Sequence, residues 1–209
     1  MSNRDSVLFV HGLWMTGIES GIMRHRLSEF GYAPSSFHYP TMRDDLPGVL
    51  ERLADAVRAL PGTVHMVGHS LGGLVILKLL ETYSDLPPGR AVLLGSPLAG
   101  SVAARAVARW PFGPSVLGPM VLAQIVAPRA PSWSGPREIG VIAGSLSAGL
   151  GRVVADLPTP NDGTVAVEET LLAGAADHVV LPVTHTGMLF STDVVTNVAH
   201  FLEHGRFAR

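Results

Sequence analysis

Apolar residues in this chain fall into short unbroken runs set between longer stretches of helical periodicity. Val7 to Val10, Val64 to Val67, Ala91 to Leu94, Ile139 to Ala143 and Val179 to Val183 are continuous rather than alternating. Strands buried on both faces of a parallel sheet read this way. Ser36 to Tyr39, closed by Pro40, is a weaker candidate for the second strand. Between the runs the period changes. Ile18, Ile22, Leu27 and Phe30 stand at roughly helical spacing, with Gly31 placed as a C-terminal cap. Asp45 precedes an amphipathic helix that aligns Leu46, Val49, Leu50, Leu53, Val57 and Leu60 on one face. Pro47 is tolerated in its first turn, and Pro61-Gly62 ends it. A helix follows Ser70 as far as about Tyr83, and Asp193 to Glu203 predicts a closing one. Strands alternating with helices predict an α/β fold: a mostly parallel sheet, helices on both faces, and ligands beyond the strands' carboxyl ends.

One junction carries chemistry. In Thr63 to Lys78 a strand run meets a helix run at Gly68-His69-Ser70-Leu71-Gly72-Gly73. So sharp a turn forces its serine into a strained backbone conformation. Its neighbours two before and two after must lack side chains for strand and helix to approach. The product is an exposed hydroxyl beside a helix N-terminus, whose free N–H groups suit an oxyanion. With 23 glycines in 209 residues, a bare G-x-S-x-G would arise by chance in roughly one such chain in five. The strand before and the helix after make it informative. No Gly-Lys-Ser/Thr follows, which argues against phosphate cradling.

Composition narrows the classes. The length suits one domain spanning 1–209. At 47% hydrophobic and 15% charged residues, general disorder is excluded. A net charge of −2 without a basic block gives no nucleic-acid signature. The absence of cysteine removes disulfides, thiol nucleophiles and thiolate metal sites. Met1 to Ser6 is polar and the apolar run behind it too short for a signal-peptide core, so a cytoplasmic protein is expected.

A serine hydroxyl needs a base. Of nine histidines, His25, His200 and His204 fall on helical stretches, and His38 and His65 within strands. His178 leads into the last strand at the wrong end. His69 adjoins Ser70 in the turn and points elsewhere. His185, in Thr184-His185-Thr186-Gly187 after Val183, lies at the carboxyl edge with Ser70 and is the expected base. The carboxylate that holds such a base is sought after a strand, between Ser70 and His185. Asp162, in Pro160-Asn161-Asp162-Gly163, fits best, with Asp156 as runner-up and Asp177 at the wrong end. The oxyanion donors are the amides of Leu71 and of Leu13, which follows His11-Gly12. His11 itself reads as a structural tie between loops. Trp14, His69, Met120 and Val121 are the substrate-contact candidates.

These motifs, V-H-G-L, G-H-S-L-G-G, N-D-G-T-V and T-H-T-G in order, resemble the α/β-hydrolase superfamily, closest to small bacterial lipases and esterases. The resemblance implies an eight-strand core with the nucleophile on the fifth strand, so six strands suggest a compact member lacking the first two. The serine mechanism it would run needs no metal or organic cofactor. Where calcium-dependent lipases carry an acid two residues after the histidine, this chain has Gly187.

Between Leu86 and Arg137 there is no acidic residue, and seven prolines fall between Pro97 and Pro136. Val102 to Trp110 and Met120 to Ala127 are apolar stretches within it. The segment 97–136 reads either as a mobile lid lining an acyl pocket or as a second layer of core. The expected function is a serine carboxylic-ester hydrolase, an esterase or lipase acting on small-molecule or lipid esters of apolar acids. A lipid–water interface is compatible with it, and no obligate protein partner is implied. An acyltransferase with the same triad, or a non-catalytic binding protein on the same fold, are the alternatives.

Overall fold

The computed structural model describes residues 4–42, 44–126, 130–148 and 156–208. Its strands are β1 (Ser6–Val10), β2 (Ala33–Phe37), β3 (Val64–His69), β4 (Ala91–Leu94), β5 (Ile139–Gly144) and β6 (Asp177–Leu181). They form one sheet in the order β2-β1-β3-β4-β5-β6, with every neighbouring pair parallel. The helices are α1 (Gly21–Glu29), α2 (Leu46–Arg58), α3 (Leu71–Thr82), α4 (Val102–Ala108), α5 (Gly113–Gln124) and α6 (Thr192–His204).

Side-chain alternation along the strands builds two apolar layers. Leu8, Val10, Met66, Leu93 and Val141 pack on one face with α2 to α5. Val7, Phe9, Val67, Val92, Leu94 and Ile142 pack on the other with α1 and α6. Both faces are covered, which is why the strands read as continuous apolar runs. After β1 the chain moves outward to β2 and then returns to the other side of β1 to make β3. The order therefore reverses between β1 and β3, the point beyond whose carboxyl ends open parallel sheets bind ligands. Ser70 and Gly12-Leu13 leave the sheet at those two ends.

Local chemistry sets the boundaries. Asp45 caps α2, its Oδ1 accepting the Gly48 N–H at 3.0 Å, and the face expected for α2 is the buried one. Three expectations move. The second strand is Ala33–Phe37, not Ser36 to Tyr39. As an edge strand it tolerates Pro34, whose missing donor costs no ladder bond on the open side. His38 therefore lies outside it, and Tyr39 is buried against the ring of His11 at 4.6 Å. The last strand begins at Asp177 and stops at Leu181, because Pro182 has no N–H for the ladder. The first helix buries Met23 and Leu27 and exposes Ile18, Ile22 and Phe30. It starts only at Gly21, after a 3-10 turn, so the spacing counted from Ile18 marked the wrong face.

The segment between β4 and β5 holds α4 and α5. Within α5, Gly118 (φ 77°, ψ 163°) breaks the helix before Pro119. The expected stretch Met120 to Ala127 is helical to Gln124, and Ala127 lies outside the described residues. Among the described residues no helix is long and apolar enough to cross a membrane.

Candidate active site

Ser70 has φ 54° and ψ −121°, a conformation that residues with a Cβ avoid. Its N–H is anchored to the Leu94 carbonyl at 2.8 Å. The glycines around it answer to close approach. A Cβ on Gly68 would strike the backbone of Gly72 and Gly73, one on Gly72 the carbonyl oxygen of Val10, and one on Gly73 the hydroxyl of Ser96. Strand β1, the Ser70 turn and the head of α3 thus pack at backbone distance.

His185 lies four residues beyond β6. Its Nδ1–H donates to Oδ2 of Asp162 at 2.7 Å, and its main-chain N–H donates to the Asp162 carbonyl at 2.9 Å. Asp162 is fully buried. Its other carboxylate oxygen accepts the N–H groups of Thr164 (2.9 Å) and Val165 (2.7 Å). Asn161 closes the same turn, accepting from the Gly163 N–H at 3.0 Å. The Asn-Asp-Gly turn therefore satisfies its own backbone and still aims one oxygen at His185. With Nδ1 committed to a carboxylate, Nε2 of the neutral imidazole is the basic lone pair. Asp156 is exposed, and Asp177 opens β6 at its amino end.

His69 is fully buried, and no substrate surface remains on it. Its Nε2–H donates to the main-chain carbonyl of His185 at 3.0 Å, and the two rings lie 4.7 Å apart. Since Nε2 carries the proton, Nδ1 is a bare acceptor, and it has no partner. Burial, and then the neighbouring His185, push the His69 pKa down to about 3. The substrate role expected of His69 gives way to a structural one, because the turn swings its ring under the His185 loop.

The amides of Leu13 and Leu71 make no hydrogen bond among the described residues. A Cβ on Gly12 would stand 3.1 Å from that of Ser70, so the Leu13 loop runs directly beside the serine. His11 ties that loop down as expected. Its Nε2 accepts the Tyr39 N–H (3.3 Å), and the Tyr39 hydroxyl donates to the His11 carbonyl (2.8 Å). Trp14 also has positive φ (57°), is 58% exposed, and donates its indole N–H to the Val116 carbonyl in α5 at 3.1 Å. Met120 and Val121 are buried in the layer that also holds Leu71, Leu98 and Leu117. In this arrangement they are core residues.

The sequence reading missed two residues here. Gly95, at positive φ (53°), follows β4 where a Cβ would lie 3.1 Å from both His185 Nδ1 and Asp162 Oδ2. Its position directly after a strand was the available signal. Buried Glu169 accepts the N–H groups of Val102 (2.5 Å) and Ala166 (2.8 Å), joining the acid loop to the start of α4. Burial raises its pKa.

The sequence over residues 7–206 matches the profile of one family, the alpha/beta hydrolase family. The chain belongs to that family. No curated protein matches this hydrolase-family chain in sequence. Solved structures share its fold at low identity. A Bacillus licheniformis lipase in its mature form superposes with a TM-score of 0.74 at 16% identity, covering 99% of this chain and 94% of that one. A pyrethroid hydrolase from Sphingobium faniae gives 0.57 at 17%, covering 96% and 98%. An Arabidopsis methylesterase gives 0.59 at 14%, again covering 96% and 98%.

Proposed function

We propose that this member of the alpha/beta hydrolase family is a serine carboxylic-ester hydrolase of the esterase or lipase type. The observation that carries the reading is the 2.7 Å bond from His185 Nδ1–H to buried Asp162, set at the same sheet edge as a serine held at positive φ. Ser70 Oγ attacks the ester carbonyl carbon while His185 Nε2 takes its proton, and Asp162 stabilises the imidazolium. The Leu71 and Leu13 amides receive the oxyanion. His185 then protonates the departing alkoxide, leaving Ser70 acylated. Water, deprotonated by His185, attacks the acyl carbon, and the acid leaves as Ser70 recovers its proton. The sequence needs no metal or organic cofactor.

Apolar acyl esters fit the surroundings. Exposed Trp14 lies two residues past Gly12, which adjoins Ser70, and apolar residues of α4 and α5 pack in the same layer as Leu71. Relatives in fold that are named lipase and methylesterase support the ester bond as target. The test is intact mass after a fluorophosphonate probe, paired with hydrolysis of p-nitrophenyl esters of rising chain length. One adduct on Ser70, lost together with hydrolysis in Ser70→Ala, is expected. An unlabelled chain, or a Ser70→Ala variant with full turnover, overturns the reading.

A further inference from the structure

We propose that the loop Arg109-Trp110-Pro111-Phe112, between α4 and α5, docks this protein on an anionic lipid surface. The proposal rests on the ester-hydrolase reading only in taking that surface as the place where substrate is met.

All four residues are exposed, Phe112 at 81% and Trp110 at 48%. Two exposed aromatic residues flanking a proline on one loop differ from the scattered apolar side chains that any surface carries. The core does not need them. Ala103, Ala104 and Val107 already bury the inner side of α4, and Leu117, Met120 and Val121 that of α5. Nor is the loop frayed. The Trp110 N–H donates to the Val107 carbonyl (3.0 Å), Gly113 to Trp110 (2.9 Å) and Val116 to Phe112 (3.1 Å).

The backbone makes the same point. Among the described residues three non-glycine positions have positive φ: Ser70, Trp14 and Phe112. Phe112, at φ 67°, occupies a region unfavourable for a side chain of its size, and there it holds a ring in solvent. Such a strained choice points to a use. The patch also continues toward the site, because Val116, 44% exposed, accepts the indole N–H of Trp14, two residues past Gly12.

Charge selects the occupant. No Asp or Glu occurs from Leu86 to Arg137, while Arg105 and Arg109 lie on and after α4. Among the described residues Arg109 has no carboxylate partner. A tryptophan and a phenylalanine beside an arginine with no carboxylate partner, in a stretch without acids, match the boundary between headgroup and acyl chain of an anionic bilayer. A second copy would set Arg109 against Arg109 in an isologous contact.

The test is co-flotation of the full chain with vesicles of dialkyl-ether lipids, which no esterase can cleave. One set is phosphatidylcholine alone, the other phosphatidylcholine with phosphatidylglycerol. Wild type is expected to float with the anionic vesicles, less so at high salt. Trp110→Ser/Phe112→Ser should lose at least about tenfold of that partitioning. Arg109→Glu should weaken binding to the anionic set and leave the neutral set unchanged. Hydrolysis of a soluble short-chain ester without vesicles, measured on the same preparations, should be unaffected in both variants. That arm judges the hydrolase reading separately. No flotation of wild type with anionic vesicles, equal flotation with neutral ones, or full flotation of the double variant each overturns the proposal. So does a concentration-dependent dimer that the double variant abolishes.

Discussion

Replacing His69 separates the placing of the base from the stability of the fold. The His185 main chain is held on both sides: its N–H by the Asp162 carbonyl at 2.9 Å, its carbonyl by the His69 Nε2–H at 3.0 Å. His69→Phe keeps the ring volume and removes that second hold. A buried carbonyl left without its donor costs about 1–3 kcal/mol. The same change removes the unpartnered Nδ1 of His69, a buried polar atom whose loss is favourable, so the net stability change should be about 1 kcal/mol. For a chain of this size that is a fall of roughly 2–4 °C in Tm. Activity should suffer more. A displacement of the imidazole by about 1 Å lowers the rate on the order of 100-fold. The expected result with a soluble p-nitrophenyl ester is kcat reduced about 10- to 100-fold at nearly constant KM. His69→Gln, whose amide N–H reaches the position of Nε2, should recover most of it. Unchanged kcat in His69→Phe, or a Gln variant as impaired as the Phe one, would refute the reasoning.

Other consequences can be checked on the same preparations. Asp162→Asn leaves an amide oxygen for Thr164 and Val165 but turns the wrong group to His185 Nδ1; a kcat loss of about 100- to 10,000-fold is expected with little change in Tm. Gly95→Ala places a methyl between His185 and Asp162 at a positive φ, so stopped-time ester assays should show at least about a tenfold loss of kcat. Ser70→Gly relieves the strained φ that Ser70→Ala retains; calorimetry should put the glycine variant about 1 kcal/mol, or a few degrees, above the alanine one. Burial pushes the pKa of His69 down to about 3 and that of His65 to about 4. His65 Nδ1 accepts the Arg90 N–H, so its protonation would break a bond. Both stay neutral in the fold while the unfolded chain takes up protons below its pKa of about 6.5. Their contribution is therefore complete above that value and is lost as pH falls toward 4 and 3, on the order of 1–2 kcal/mol each by about pH 5. Urea unfolding should show this slope, shallower in His69→Gln; a stability independent of pH over that range would contradict it.

The sequence by itself determined the architecture. Buried parallel strands must be continuously apolar, helices between them must show a 3.6-residue stripe, and both signals are local. Strands β1, β3, β4 and β5 and helix α2 were legible for that reason. So was the strained turn at Ser70, because only glycine permits the backbone approach at 68, 72 and 73. The second strand was misplaced because an edge strand has one free side and so obeys weaker rules, Pro34 included. The first helix face was misread because a 3-10 turn shifted its phase. Only the tertiary structure decided which side chains meet across long gaps in sequence. Asp162 and His185 are 23 residues apart; the Asn-Asp-Gly turn favours Asp162 over Asp156, but only the fold brings its carboxylate to the imidazole. His69 looked like a turn neighbour free to face substrate. Its ring lies beneath the His185 loop because packing of the Ser70 turn against that loop, 116 residues away, fixes where it points. Gly95 was silent for the same reason: its missing side chain matters only because the folded chain brings a carboxylate and an imidazole to that point.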